Sequence, residues 1–206
     1  MSKRIAEIIS YIFHPMLMAT LLIGLLYLFA PSVIQPLNSE TIKTVLAVIF
    51  LLTCIIPMLS VGALKITSSI SSMKLENRRE RIMPFMFISI YYGVTTYMFV
   101  IKLGLDGVIM VVFTTITLMI VLITIITSFF KISVHSAGIW GLLGFLISIH
   151  YKFPDSQLFW PILIVLVLAG GVNSSRLLLN AHSPKEVSLG SVLGFLLSLT
   201  SIFIFV

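Results

Sequence analysis

An all-α bundle of about seven transmembrane helices is the fold class that the sequence predicts, on three observations. The 206 residues are 59% hydrophobic and 10% charged, with a mean hydropathy of +1.17. Such a chain cannot cover its apolar surface in water without gross association, so lipid is its expected solvent. The apolar residues gather in seven stretches, each near the roughly 20 residues that cross a hydrocarbon core. Only one sizeable polar linker interrupts them, over 65–83, and no tandem repeat or low-complexity tract is present, so residues 1–206 read as one domain.

The first stretch, 5–30, follows Lys3 and Arg4 as a signal peptide would, but it is too long for one and no small-residue cleavage pattern follows. It is read as a helix that Pro15 bends, with His14 turned toward a neighbouring helix. The second, 43–64, holds Cys54, whose solitude excludes an internal disulfide and a cysteine metal site. The linker after it is first rich in serine (Ser68, Ser69, Ser71, Ser72) and then charged (Lys74, Glu76, Arg78, Arg79, Glu80, Arg81). Stretches three and four, 85–101 and 107–130, would make one helix about 69 Å long at 1.5 Å per residue. The run from Lys102 through Gly104 and Asp106 to Gly107 breaks it into a tight hairpin.

The fifth stretch, 136–151, is short for a span. Its Gly138, Gly141 and Gly144, like Gly190 and Gly194 in the seventh stretch, 187–206, make small-residue faces for close helix packing. His150, Tyr151 and Lys152 fall at the end opposite His135. Trp140, and Trp160 at the start of the sixth stretch, 159–176, are placed as interfacial anchors.

Seven crossings put the loops after the second, fourth and sixth helices on one face, together with the amino terminus. That face carries ten of the thirteen Lys and Arg residues; Lys43, Lys102 and Lys152 lie on the other. The positive-inside rule makes it cytoplasmic, in what is expected to be a bacterial inner membrane. The net charge of +6 is thereby explained as loop charge or as ligands for an anion, with no nucleic-acid face.

The same three loops carry the unusual polar residues. Lys74 and Arg81 are seven apart, so on a helix they would share a face. Arg176 adds a third fixed cation and Ser133 a hydroxyl, a set suited to a tetrahedral oxyanion. Two histidines, His135 and His182, accompany them. One can attack phosphorus as a neutral imidazole while the other, protonated, gives its proton to the departing alkoxide. Glu186, four residues after His182, can orient that imidazole. Few carboxylates line this face, so no metal or other cofactor is expected.

These residues resemble the type 2 phosphatidic acid phosphatase superfamily, which includes membrane lipid phosphatases and the soluble vanadium haloperoxidases. Its first motif is Lys, six residues, Arg-Pro, matched by Lys74 and Arg81 with Ile82 in place of the proline and Pro84 two positions later. Its second, Pro-Ser-Gly-His, is similar to Ile132-Ser133-Val134-His135. Its third, Ser-Arg, five residues, His, three residues, Asp, is matched by Ser175, Arg176 and His182, with Glu186 for the aspartate. The resemblance spans 74–194. It implies His182 as the nucleophile that forms a phosphohistidine, Glu186 as its orienting carboxylate and His135 as general acid. It further implies that Lys74, Arg81, Ser133, Arg176 and the Val134 amide hold the phosphate of a membrane lipid.

Each motif also has a plain structural reading. Ser183-Pro184-Lys185-Glu186 is a capping box that can simply start the last helix. Lys74 to Arg81 can be a positive-inside run, with Arg78 or Arg79 as the working cation in place of Arg81. Two other functions fit the same chain: an inactive relative that binds anionic lipid, favoured by the altered second motif, and a small transporter, favoured by His14 within the membrane.

Overall fold

A computed structural model describes residues 1–72, 75 and 77–206. Its elements are helical, and among the described residues seven helical segments are long and apolar enough to cross a membrane. The first span, Lys3–Phe29, is two helices: α1 (Lys3–Ile12) and α2 (Met18–Phe29). Pro15 has no N–H to donate, so the ladder stops before it. His14 closes the break by accepting the Met16 N–H on Nδ1 at 3.4 Å, and a single 3-10 turn over Pro15–Leu17 leads into α2.

The second span joins α3 (Ile42–Phe50) to α4 (Ile56–Ile66) through a π-helical stretch at Leu51–Ile55. Pro57, early in α4, withholds one donor there, and the widened turn lies directly before it. The third span begins as a 3-10 turn at Arg79–Arg81 and continues as α5 (Ile82–Tyr97). The expected hairpin to α6 (Gly107–Thr127) is present, with Gly104 at φ 63° and Gly107 at φ 54°, where a β-carbon would be strained. Then follow α7 (Val134–Lys152), α8 (Phe159–Leu178) and α9 (Pro184–Phe205).

The fifth span departs from expectation. It is not short: α7 has 19 residues, and 61% of its hydrophobic window is buried inside the protein, against 28–39% for the other six. α7 is therefore the central helix, packed on α9, α8 and α2. Its hydropathy is modest because its neighbours are helices, and glycine and serine serve that contact better than leucine. A β-carbon on Gly144 would stand 2.6 Å from the Phe195 carbonyl oxygen, and one on Gly190 or Gly194 would run into the carbonyls of Ser133 or Ala137. Trp140 corrects a second expectation. Its Nε1 is buried and its ring meets Phe195 edge-on at 6.1 Å, so it belongs to this packing and not to the interface. Trp160 is 69% exposed at the start of α8, as an anchor would be.

Candidate active site

The contact of α7 with α9 also brings two of the polar loops together. Gly190 lets the Ser133 backbone approach α9, and the Ser133 N–H donates to the Glu186 carbonyl at 3.2 Å. Ser133 is fully buried and caps α7: its Oγ accepts from the Ser136 N–H at 3.4 Å and the Ser136 hydroxyl at 2.9 Å. Both bonds use its lone pairs, so its own O–H remains a donor. Val134 is the first residue of α7, so its amide has no acceptor within the helix.

Across this junction stand His182 and Glu186. His182 Nδ1 and Glu186 Oε2 are 2.6 Å apart, and the His182 side chain is only 3% exposed. The same oxygen accepts the Ser183 N–H at 3.3 Å, completing the capping box with Ser183 Oγ. Glu186 thus caps α9 and holds His182 at once. Its carboxylate favours an imidazolium, but burial, then Arg81, Arg176 and Lys131, weigh more and push the His182 pKa down to about 3. A neutral ring whose Nδ1–H donates to a carboxylate keeps its lone pair on Nε2, the form a nucleophile needs.

The cations come from two other elements. Arg81, at the end of the 3-10 turn, is 5% exposed; Nε donates to the Leu75 carbonyl at 2.7 Å and Nη1 to that of Ile132 at 3.3 Å. Arg78 instead reaches the Ser128 carbonyl at 2.7 Å and Arg79 is exposed, so Arg81 is the one of the three turned inward. Among the described residues before Arg81, Leu75 has φ 49° and regular structure begins at Arg79, so Arg81 is placed by a short 3-10 turn. Lys74 itself lies outside the described residues. Arg176, in the last turn of α8, donates from Nη1 to Ser10 Oγ at 3.3 Å, while its buried Nε–H finds no acceptor among the described residues.

His135 is drawn toward the first span. Its Nε2 is 3.2 Å from the Ser10 carbonyl oxygen and its ring meets His14 edge-on at 5.3 Å, still within electrostatic reach of Arg176 and His182. Ser10 sits in the last turn of α1, whose carbonyls lack helical partners, so an outside donor is needed there. Ser10 and His14 are the site neighbours that sequence reasoning missed. The polarity of Ser10 on the buried side of α1 was the available signal for the first, and His14 was assigned to helix packing or, in the transporter reading, to the membrane interior. His150 stays away, at the far end of α7 and 3.0 Å from Ser156 Oγ.

Among the described residues no three of His, Cys, Asp and Glu stand together as metal ligands would. What converges is two guanidiniums, a neutral imidazole braced by a carboxylate, a second imidazole, a hydroxyl and a helix-start amide. No family model, no curated protein and no solved structure matches the chain.

Proposed function

We propose that this protein is a membrane-embedded lipid phosphatase, hydrolysing a lipid phosphomonoester or pyrophosphate through a phosphohistidine at His182. The observation that carries this reading is the buried Arg176 Nε–H without an acceptor among the described residues, beside Arg81 and the His182–Glu186 pair. An unpaired guanidinium donor is satisfied by water or by an anion, and an oxyanion is what forked guanidinium donors fit.

In the first step His182 Nε2 attacks phosphorus and forms the N–P bond as the P–O bond to the lipid breaks. Arg81, Arg176, the Ser133 hydroxyl and the Val134 amide stabilise the charge on the phosphoryl oxygens. Lys74 would join them from the linker. Protonated His135 gives its proton to the leaving oxygen; with Nε2 held by the Ser10 carbonyl, Nδ1 is the nitrogen that transfers it. Water, deprotonated by the now neutral His135, then hydrolyses the phosphohistidine. Glu186 stabilises the positive charge on His182 throughout.

A second reading, an inactive protein that binds anionic lipid, is favoured by one observation: His135 is already bonded to the Ser10 backbone. Phosphate release by the purified protein from phosphatidate, lysophosphatidate, prenyl phosphate and prenyl diphosphate separates the two. The phosphatase releases phosphate from at least one, loses all release in His182→Ala, and slows about 10²–10⁴-fold in His135→Ala. No release from any lipid favours the second reading, and unchanged release in His182→Ala removes the mechanism.

A further inference from the structure

The break at His14-Pro15 does more than bend the first span. α1 packs along α8, and the two are tied at Ser10 and Arg176. Beyond the break α2 leaves α8 and packs on α3 and α7. The divergence leaves an apolar cleft with Phe13, Leu21 and Leu25 on one wall and Ile164, Val165 and Leu168 on the other, a cavity of about 190 Å³. The cleft is open along one side, where Ile164 is 58% exposed.

Its position relative to the site is set by helix geometry. Leu168 is eight residues before Arg176 on α8, so the near end lies about 12 Å below the Arg176 backbone along the helix axis. Trp160 and Phe29, which line the far end, put its floor about 24 Å below. A dry cavity of about 150 Å³ accepts one benzene ring, so this volume has room for a stretch of hydrocarbon chain.

We propose that the cleft between α2 and α8 binds one hydrocarbon chain of the same lipid whose phosphate is held at Arg176. This rests on the phosphatase reading and names its substrate class: a phosphate carried on a long, slender chain. The polar tie at Ser10 and the apolar cleft follow one another along α8, the first against α1 and the second against α2, so a molecule with a phosphate at one end and a chain at the other can meet both. Bilayer lipid passing through the cleft, or a second copy of this protein, would fill it with no link to the phosphate.

The test compares kcat/KM on phenyl, hexyl, dodecyl and hexadecyl phosphates for the purified parent, Leu168→Trp, Leu25→Trp and Val167→Trp. Val167 is 75% exposed on α8 and does not line the cleft. In the parent, kcat/KM rises with chain length. Each wedge in the cleft lowers the hexadecyl-to-phenyl ratio about tenfold or more, from opposite walls, and Val167→Trp does not move it. Using a ratio keeps a partial loss of folded protein from imitating the effect. A ratio unmoved by both wedges, or moved equally by Val167→Trp, overturns the inference and leaves the phosphatase reading standing. A parent that releases phosphate from none of the four also overturns the inference, while the phosphatase reading is decided by the lipid panel given under the proposed function.

Discussion

His182 is neutral for reasons that are independent of its carboxylate. Burial opposes charge on the ring, and Arg81, Arg176 and Lys131 add repulsion, so its pKa falls to about 3 from the ordinary 6.5. The sign of the consequence follows from proton counts. Between those two values the unfolded chain binds a proton at this residue and the folded protein does not, so folding stability falls as pH drops from 6.5 toward 3. Thermal unfolding in detergent across that window is expected to show a steeper acid loss for the parent than for His182→Asn. Parallel slopes would mean that the ring is protonated in the folded protein. Glu186 shows how one carboxylate serves two purposes, since its Oε2 meets both His182 Nδ1 and the Ser183 amide. That pairing was legible because His182, Ser183 and Glu186 are neighbours in sequence, where helix-start geometry fixes the outcome. Ser10 was not legible for the opposite reason. It meets His135 through a backbone carbonyl, which every residue has, across 125 positions of chain.

At the scale of elements, the approach of α9 to α7 builds the site. Ser133 and Glu186 are joined by a backbone hydrogen bond that exists only because Gly190 and Gly194 let the helices touch. In Gly194→Val the new side chain would meet the Ala137 carbonyl and drive the helices apart, at a cost of about 1–3 kcal/mol. A lowered melting temperature together with lost phosphate release is expected. Gly170→Ala, where a β-carbon meets nothing within 4 Å, should leave both unchanged. Equal tolerance of the two substitutions would show that the close contact is dispensable. The small-residue faces were readable from glycine spacing. The length of α7 was not, because its first turn is Val134, His135 and Ser136, a poor hydropathy signal for a helix whose surroundings are protein.

Across the whole molecule, the packing of the helices turns a one-dimensional pattern into a polar cluster. Seven helical segments long and apolar enough to cross a membrane bring residues of α1, the Arg79–Arg81 turn, α7, α8 and α9 together, and in the proposed function the positive charge of the same loops attracts anionic headgroups. The count of spans followed from hydropathy and the hairpin from the turn residues Gly104, Asp106 and Gly107. The divergence of α2 from α8 did not, since Pro15 signals a bend without giving its direction. The central claim is covalent chemistry at His182, and trapping addresses it directly. Purified protein is mixed with lipid phosphate carrying radiolabelled phosphorus, quenched in denaturant at alkaline pH, and analysed for protein-bound label. Label that is stable to alkali, lost in acid, mapped to His182 and absent from His182→Asn is the expected result. Phosphate release without such label, or label that persists in His182→Asn, would contradict it.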